Sequence, residues 1–477
     1  YAHDINYGYI AAYFRDAGNT PYTEHTWYTG VHRLLPAHAM TVSAAGVRTW
    51  PYWQAQNVPA LPPASEAAYI EQLADLLHRA VVCRTRAAYP VGVHLSGGLD
   101  SSGVTALAAR QTRQHSMACT AFSWSSPPEG QPEDDGRALV ESVRQAEGLC
   151  CHYAPGTIAD VAATRLRPLH LPARRFYPES QVRRLAQAQG IRVILSGWGG
   201  DELAAFNGRG YLADLWRQGH WRTLWRESAA YARMRGSRLD AILRSKGLYP
   251  HLPDRLFQWV TRSEPPSSLT QQFSRSEPVL WHPDFIAQLV EADPGPLERM
   301  RRERPGVRRN QRDLLAHGHL TTRTEWWATE APECGIVYRY PMLDRRLAEF
   351  GLGLPPQLFF RDGWSRYILR QALEGIVPPQ VQWNWNKMAA AHSAYFQTLE
   401  WEWRQQVLKP LVTDVLSSHE HFHCLNPAHV PVMVQRMRSN PQDGLPIVLP
   451  PALQAELMMN RPLAMDIQAW LYEWRES

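Results

Sequence analysis

The chain has 477 residues, of which 44% are hydrophobic and 20% are charged, a balance that excludes a disordered or fibrous protein. Its formal net charge of +5 is small for this length, and we therefore expect no nucleic-acid partner. The sequence shows neither an apolar run of about 18 residues nor a signal-peptide pattern, so we expect no membrane association. The six cysteines lack the spacing of a zinc ribbon, which favours free thiols in a reducing cytoplasm.

The beginning of the chain has the pattern of a small β-rich unit. Tyr7–Phe14 has the spacing of an aromatic helix, and Gly30–Pro36 and Met40–Gly46 alternate like the two arms of a hairpin. The proline-rich segment Pro59–Pro63 then predicts a linker. A segment this short cannot bury a large core of its own. We therefore predict a boundary that separates residues 1–62 from residues 63–477.

The middle of the chain alternates between helical and strand patterns. Ser65 is predicted to cap a helix that runs to about Ala88. Strands and helices then follow in turn: Val91–His94, Ser101–Arg110, Met117–Trp124, Ala138–Glu147, Cys151–Ala154, Ser180–Gln189 and Ile191–Leu195. This alternation predicts an α/β fold with a doubly wound, mostly parallel sheet. Beyond residue 210 the pattern is mostly helical, and we expect Trp216, Trp221 and Trp225 to pack in the core or between helices.

The stretch Val91–Ser102 combines a buried strand, a glycine turn and the start of a helix. In this arrangement backbone N–H groups and the positive helix end converge on an anion, so it predicts a phosphate site. A Walker A loop is excluded, because the required Gly-Lys-Ser/Thr ending is missing. The alternative is a structural turn that binds no ligand. The phosphate-binding residues that we assign are His94, Leu95, Ser96, Gly97, Gly98, Leu99, Asp100, Ser101 and Ser102.

A second glycine turn, Ser196–Glu202, follows another buried strand. Ligands of α/β sheets bind at the carboxyl ends of strands, so we expect both turns to meet at one site. Asp100 and Asp201 could then hold Mg²⁺ against phosphate oxygens. The alternative is a turn in which Asp201 only caps a helix. The further residues that we assign to the site are Phe122, Ser196, Gly197, Trp198, Gly199 and Gly200.

Two other features have no assigned role. The segment 299–312 carries seven arginines, which favours a solvated face over a surface for an acidic partner. His419–Cys424 contains three histidines, one glutamate and one cysteine, and we interpret it as a polar loop rather than a zinc site. No general base is identified.

Further motifs resemble one enzyme family. Ser96–Ser102 is similar to the pyrophosphate loop of ATP-pyrophosphatases, Tyr338–Asp344 to an Arg-Val-Pro-Phe-Leu-Asp signature, and Gly363–Arg370 to a Lys-Tyr-Ile-Leu-Arg helix. Lys387 follows Val377–Val381, where that family places its catalytic lysine. Residues 65 to about 400 therefore resemble the synthetase domain of the asparagine synthetase superfamily.

This resemblance implies a fold of the ATP-pyrophosphatase type with a helix-rich C-terminal part, and ATP and Mg²⁺ as cofactors. A carboxylate would attack the α-phosphate, pyrophosphate would leave, and an amine would attack the acyl-adenylate. Asp100 and Asp201 would bind Mg²⁺, and Lys387 would neutralise the charge of the transition state.

Residues 1–62 resemble the last part of the family's β-rich glutaminase domain, with Leu35–His38 at the family's Leu-Pro-Gly-His. The glutaminase nucleophile of that family is an N-terminal cysteine, and this sequence has no cysteine before Cys83. The expectation is a remnant domain that does not hydrolyse glutamine by that route.

Residues that differ from the family signature distinguish among the classes of enzyme within the family. Trp198 stands where asparagine synthetases carry Glu and β-lactam synthetases carry Tyr, and Val337 stands where the signature has Glu. The residues before Lys387, Trp385 and Asn386, lack the frequent Arg. An indole cannot act as a base near neutral pH, so these changes argue against ammonia transfer to aspartate. The Gly-Trp-Gly-Gly-Asp-Glu turn is similar to that of lasso-peptide macrolactam synthetases.

The leading hypothesis is therefore a macrolactam synthetase that joins the N-terminal amine of a precursor core peptide to an Asp or Glu side chain. Its expected partners are that peptide, a leader peptidase and a leader-recognition protein. A glutamine-hydrolysing asparagine synthetase or related small-molecule amidotransferase, a β-lactam-type synthetase and an inactive scaffold that binds a peptidase stay open as alternatives.

Overall fold

The structure is a computed structural model that describes residues 4–15, 23–126, 136–168, 177–262, 280–293, 303–316, 318–386, 394–419, 421–439 and 449–476. Its strands are β1 (His38–Ser43), β2 (Gly46–Pro51), β3 (Val91–His94), β4 (Cys119–Ser123), β5 (Cys150–Tyr153), β6 (Val193–Leu195), β7 (Val337–Arg339), β8 (Phe360–Arg361) and β9 (Trp364–Ser365).

The first ten helices are α1 (Tyr7–Arg15), α2 (Glu66–Thr85), α3 (Leu99–Gln114), α4 (Arg137–Glu147), α5 (Ile158–Arg165), α6 (Pro178–Ala188), α7 (Tyr211–Arg217), α8 (Trp221–Arg235), α9 (Leu239–Ile242) and α10 (Asp254–Thr261). The later helices are α11 (Pro283–Glu291), α12 (Val307–Ala316), α13 (His319–Glu330), α14 (Arg345–Gly353), α15 (Tyr367–Ala372), α16 (Pro379–Gln382), α17 (Ala394–Trp403), α18 (Lys409–Asp414), α19 (Val430–Ser439), α20 (Leu449–Met459) and α21 (Arg461–Glu476).

The centre of the fold is a five-stranded parallel sheet with the order β5-β4-β3-β6-β7. The side chains of β3 and β6 are fully or almost fully buried, because helices cover both faces of the sheet. The doubly wound, parallel α/β fold expected from the sequence is confirmed, as is the helical character of the chain beyond residue 210. From β3 the chain adds β4 and β5 toward one edge of the sheet, and from β6 it adds β7 toward the other edge. The strand order therefore reverses between β3 and β6.

The helix α2 forms where its sequence predicts it. The side chain of Ser65 accepts a hydrogen bond from the N–H of Ala68 at 3.2 Å, which satisfies one open donor of the first turn. The apolar residues Leu73, Leu77 and Val81 fall on one face and are fully buried against the sheet side of the core. α2 packs on both α3 and α15. The first turn of α3 lies close to the start of α15, where Arg366 donates to Asp100 at 2.8 Å.

The predicted hairpin exists but with different arms. β1 pairs with β2 in an antiparallel register from His38 opposite Pro51 to Ser43 opposite Gly46. The expectation that Gly30–Pro36 is one arm is wrong, since that segment contributes only an isolated bridge between His25 and His32. The short connection between Ser43 and Gly46 sets the register, and alternation alone could not reveal it.

A second hydrophobic core lies away from the sheet. It joins Ile10 and Tyr13 of α1 to side chains of the C-terminal helices, among them Trp403 and Leu411. The first stretch of the chain also contacts α14, where the indole N–H of Trp53 donates to a carboxylate oxygen of Glu349 at 2.8 Å. The boundary at residue 62 stays a prediction.

Two of the three tryptophans at helical spacing are not core residues. Trp221 is 55% exposed and Trp225 is 60% exposed, whereas Trp216 is half-buried and meets the edge of the Trp221 ring. The expectation of packing is therefore wrong for Trp225, because helical spacing identifies a face but not what covers it. No helix within the described residues is long and apolar enough to cross a bilayer.

Candidate active site

Both glycine turns lie where the strand order reverses. The first turn leaves the carboxyl end of β3 and the second leaves the carboxyl end of β6, and these strands are direct neighbours. Open α/β sheets bind ligands at this place, because the diverging connections leave a crevice. A cavity of about 130 Å³ lies here, and residues of both turns line it.

The first turn is shaped for close approach of a backbone to an anion. Gly97 has φ of +69°, and a Cβ atom there would lie 2.8 Å from the Cβ of Leu139. The Oγ of Ser101 receives the N–H of Ser96 at 3.2 Å and donates to the carbonyl of Gly98 at 3.1 Å. These contacts fix the turn at the N-terminus of α3, where the first N–H groups of the helix lack intrahelical acceptors.

The second turn packs directly on the first. A Cβ on Gly197 would lie 2.6 Å from the backbone nitrogen of Ser101, and one on Gly200 would collide with the carboxylate of Asp100. Gly199 has φ of +96°, a backbone conformation that side chains rarely adopt. Glycine is therefore required at these positions by the contact between the turns.

The two candidate metal ligands share one arginine. Arg366 donates from Nη1 to Oδ2 of Asp100 at 2.8 Å, and its Nη2 contacts Oδ1 of Asp201. The Asp100 side chain is only 9% exposed, whereas that of Asp201 is 40% exposed. The structure thus brings together the two carboxylates that the sequence analysis paired, with a positive charge between them.

These residues fit a Mg²⁺ ion. The Oδ1 atom of Asp100 is buried and has no hydrogen-bond partner in the part of the chain that the structure describes. Mg²⁺ prefers one or two carboxylates together with phosphate oxygens and water. No group of three or more His, Cys, Asp or Glu side chains suited to a metal occurs among the described residues. A two-carboxylate site completed by a phosphorylated substrate is therefore the arrangement that this chemistry allows.

One wall of the cavity is aromatic and positively charged. The guanidinium carbon of Arg323 lies 3.9 Å from the ring centroid of Trp198 and 5.4 Å from that of Trp327. Burial lowers the pKa of Arg323, and the neighbouring Glu179 and Glu202 partly offset this effect. Both Arg323 and Trp327 come from α13, which the sequence analysis did not connect to the site.

A buried carboxylate supports this wall from behind. Glu179 accepts hydrogen bonds from the indole N–H of Trp124 at 2.9 Å and from the hydroxyl of Tyr338, and it pairs with Nε2 of His94 at 3.1 Å. Burial raises the pKa of Glu179, but His94 and Arg183 outweigh it and hold the pKa below its usual range. Burial also raises the pKa of the Tyr338 hydroxyl well above its ordinary value.

The carboxylate of Glu202 is the third acidic group of the cavity. Its Oε1 pairs with Nε2 of His319 at 2.8 Å, and the His319 ring lies 6.0 Å from that of Trp198 in an edge-on arrangement. Glu179, Glu202, His319, Arg323 and Arg366 were missed by the sequence reasoning. The available signals were the position of Glu202 at the end of the second glycine turn and that of Arg366 inside the Gly363–Arg370 motif.

The predicted phosphate-site residues divide into two groups. Those that line the cavity are His94, Ser96, Asp100, Ser101, Ser196, Gly197, Trp198, Gly199, Gly200 and Asp201. Those that lie behind it are Leu95, Gly97, Gly98, Leu99, Ser102 and Phe122. Phe122 packs among Ile191 and Ile194 and is fully buried, so its side chain belongs to the core. Lys387 lies outside the described residues.

The family-like motifs at the end of the sheet hold the site in place. The backbone N–H of Ser196 donates to the carbonyl of Arg339 at 2.9 Å, which anchors the second turn to β7. Asp344 accepts hydrogen bonds from Arg84 at 2.7 Å and from the backbone N–H of Arg346 at 2.9 Å. Burial raises the pKa of Asp344, but hydrogen bonds from the side chain of Arg346, from Arg84 and from the Arg346 backbone outweigh it and hold the pKa well below its usual range.

Arg370 anchors the segment that leads to Lys387. It donates to the carbonyls of Ser365 at 2.9 Å and Asn384 at 3.1 Å, and to that of Gln382. Burial and the nearby charge of Arg366, partly offset by Asp100, lower the pKa of Arg370 to about 10. This residue therefore acts on the site by positioning the backbone.

The two features without an assigned role do not join the site. In the described part of 299–312, Arg304 pairs with Asp254 and Arg312 donates to the carbonyl of Gln56, while residues 299–302 lie outside it. In the histidine cluster, the backbone N–H groups of residues 423–425 donate to the buried carboxylate of Glu456. His419 pairs with Asp466 at 2.8 Å, and Glu420 lies outside the described residues.

Comparison with known proteins identifies a family model that matches most of the chain and relatives that match about a third of it or less. A family model described as asparagine synthase matches residues 72–460. Asparagine synthetase [glutamine-hydrolyzing] 3 of Bacillus subtilis is 30% identical over 135 residues, which cover 26% of this chain and 21% of that protein. The amidase chyE of Penicillium rubens is 27% identical over 202 residues, covering 37% of this chain and 29% of that protein.

An asparagine synthetase of Arabidopsis thaliana, the glutamine-hydrolyzing enzyme 3, is 28% identical over 185 residues, or 35% of this chain and 30% of that protein. The matches thus span between 21% and 30% of the length of these relatives.

Proposed function

Since this chain belongs to the asparagine synthase family, whose members are ATP-dependent ligases, we propose that it adenylates a peptide carboxylate and closes a macrolactam with the peptide's own N-terminal amine. The observation that carries this proposal is the meeting of two glycine turns and two aspartates, Asp100 and Asp201, beside a wall formed by Trp198 and Arg323. The first set supports ATP chemistry, and the second places an indole without a proton-accepting nitrogen at the centre of the second turn, which argues against ammonia transfer to aspartate.

The adenylation step uses the turn at the start of α3. Its backbone N–H groups bind the leaving pyrophosphate, and the contact between Gly197 and Ser101 keeps both turns against the phosphates. Mg²⁺ held by Asp100 and Asp201 would neutralise charge on the phosphate oxygens. Arg366, which pairs with both aspartates, keeps their carboxylates close together, and an incoming ion would compete with its guanidinium for them.

The amide-forming step needs an amine close to the acyl-adenylate. Trp198 lines the cavity at the centre of the second turn, and its indole has no proton-accepting nitrogen near neutral pH. Val337 is apolar and 57% exposed, but it lies opposite Val193 at the start of β7 and is not among the residues that line the cavity. A site lined by Trp198 suits an amine that arrives as part of the substrate. Attachment of amine and carboxylate to one chain raises their effective concentration, which favours ring closure.

Three associations complete the proposal. The substrate is the core region of a precursor peptide, and a leader peptidase and a leader-recognition protein supply it. Synthesis of asparagine is the second candidate, because relatives matching parts of this chain carry that name. A β-lactam-type synthetase is a third candidate.

A mass measurement tests the proposal. The enzyme is incubated with ATP, Mg²⁺ and the leaderless peptide encoded beside its gene. The expected product is lighter than the linear peptide by one water, with AMP and pyrophosphate released in equal amounts. Asp100→Asn serves as the inactive control. Amidation of free aspartate by ammonium, without dehydration of the peptide, would overturn the proposal in favour of asparagine synthesis.

A further inference from the structure

His94 connects the active-site cavity to the buried carboxylate behind it. It is the last residue of β3, its side chain is 1% exposed, and it lines the cavity between the two glycine turns. Its Nε2 lies 3.1 Å from Oε1 of Glu179, whereas its Nδ1 is buried and has no hydrogen-bond partner within the described ranges. A buried polar atom without a partner costs free energy unless a ligand satisfies it. One nitrogen of this ring is thus held by a carboxylate, and the other is available to a ligand.

Glu179 determines which nitrogen of His94 carries the proton. Burial raises the pKa of Glu179, but His94 and Arg183 outweigh it and hold the pKa below its usual range, so the side chain is ionised. An ionised carboxylate only accepts hydrogen bonds. Nε2 of His94 therefore donates its N–H to Glu179, and Nδ1 of the neutral ring carries a lone pair.

Three aromatic side chains fix the orientation of the imidazole. The centroid of the His94 ring lies 4.7 Å from that of Trp124, 5.2 Å from that of Trp327 and 5.8 Å from that of Tyr338. Trp124 and Tyr338 also donate hydrogen bonds to Glu179, so the same side chains hold the ring and its carboxylate. A ring that is already oriented loses little entropy when it meets a bound substrate.

Amide formation needs a group that accepts a proton. When the amine attacks the acyl-adenylate, its nitrogen becomes positively charged and must lose a proton. Among the described residues that line the cavity, the carboxylates are Asp100 and Asp201, which pair with Arg366, and Glu202, which pairs with His319. Carboxylates accept protons mainly below about pH 5, whereas an imidazole accepts them near neutral pH and is the better general base there.

We propose that His94, oriented by Glu179, is the general base that takes the proton of the attacking amine at Nδ1. This inference rests on the proposed function and supplies the proton acceptor of its second step. The bond between the amine nitrogen and the acyl carbon forms, the bond from that carbon to the phosphate oxygen breaks, and AMP leaves with the electron pair. The proton passes from the nitrogen to Nδ1 and then to water. The N-terminus of α3 serves the phosphates, so we assign His94 to this step rather than to phosphate binding.

Two rates measured on the full chain test this role. With ATP, Mg²⁺ and the leaderless peptide encoded beside the gene, pyrophosphate exchange reports adenylation, and the dehydrated peptide reports amide formation. His94→Gln keeps an N–H for Glu179 but has no basic ring nitrogen. It should slow amide formation by ~10²- to 10⁴-fold and change exchange by less than about threefold. Glu179→Gln should show the same split, because the loss of its charge lets the proton move to Nδ1.

A matched control and a spectroscopic measurement separate this role from a structural one. His152→Gln makes the same substitution at a half-buried histidine of β5 that is not among the residues lining the cavity, and it should leave both rates unchanged. Nitrogen NMR of the wild type with isotope-labelled histidine should show His94 protonated at Nε2 and bare at Nδ1. This measurement needs neither a variant nor a substrate, so it decides the question even if His94→Gln does not fold. A proton on Nδ1 of the neutral ring would refute the proposal.

The outcomes distinguish this inference from the proposed function. Dehydration of the peptide at the wild-type rate in His94→Gln would support cyclisation and refute the role of His94, and equal losses of exchange and product would refute that role as well. Amidation of aspartate by ammonium that depends on His94, with exchange intact and no reaction of peptides, would support the base and refute cyclisation. Glu202 has a buried Oε2 without a partner in the described part of the chain. A split of the two rates in Glu202→Gln but not in His94→Gln would assign the proton to that carboxylate and overturn the proposal.

Discussion

Replacement of Arg366 by methionine is expected to make stability depend on Mg²⁺. Methionine keeps the unbranched apolar stem of the side chain but removes the charge that lies between Asp100 and Asp201. Removing one member of a buried ion pair costs about 3–5 kcal/mol. Because the Asp201 side chain is 40% exposed and regains water, we expect the variant to lose about 2–3 kcal/mol without metal.

Mg²⁺ alone should restore much of this loss. An ion at 100 times its Kd stabilises the folded state by about 2.7 kcal/mol. In the wild type the ion competes with the guanidinium of Arg366, so the same Mg²⁺ concentration stabilises less. The free energies of unfolding of the wild type and of Arg366→Met therefore differ most in EDTA and least at saturating Mg²⁺, without any nucleotide present.

Denaturant midpoints in EDTA and in MgCl₂ measure this difference, and calorimetric titration with Mn²⁺ measures the binding directly. Arg345→Met is the matched control, because Arg345 pairs with Glu349 at 2.7 Å on the surface, where such a pair contributes about 0–1 kcal/mol. Equal midpoints for wild type and Arg366→Met in EDTA would refute the reasoning. Equal stabilisation of both proteins by Mg²⁺ would refute it as well.

Other expected outcomes concern the chemistry and the pH dependence. Asp100→Asn and Asp201→Asn should each abolish ATP turnover but leave the circular dichroism spectrum unchanged, since each removes a charged ligand at the phosphates; wild-type turnover in a folded variant would exclude the metal site. Lys387→Ala should slow single-turnover chemistry by ~10²- to 10³-fold with a smaller effect on ATP binding, and a normal rate would place this lysine away from the reaction. The pKa of Asp344 in the folded protein lies below its ordinary value of 3.8. Its carboxylate therefore stabilises the fold above pH 3.8, and this stabilisation is lost as the pH falls from 3.8 through the folded pKa. Acid unfolding of Asp344→Asn should therefore depend less on pH below about pH 4 than that of the wild type, and identical acid transitions would contradict this.

The sequence predicted the elements that depend on local pattern. The strand, glycine turn and helix around Ser96–Ser102 follow from buried apolar runs and glycine positions, and the second turn at Ser196–Glu202 follows in the same way. Their meeting also follows, because the carboxyl ends of parallel strands share one edge. These features need only the neighbouring residues and the rule for parallel sheets.

The partners of these turns could not be predicted, since they come from distant parts of the chain. Arg366 contacts Asp100 across 266 positions, and nothing near either residue indicates the pairing. Arg323 and Glu179 lie in ordinary helices without a motif. Trp225 has the spacing of a buried residue, yet no other element covers it enough to bury it. Tertiary contacts, rather than local preference, decide each of these cases.

The long separation of these contacts also bears on how the protein folds. β3 and β6 pair as parallel neighbours, so their segments must first close a long loop, and Arg366 must then reach both turns. Contacts so distant in sequence form slowly, because the entropy of loop closure is lost before the contacts repay it. The site is therefore completed late in folding, and partly folded chains or fragments lack it. Nucleotide binding would then report the fully folded population, and a nucleotide in the refolding buffer would capture chains at the final step without accelerating the earlier ones.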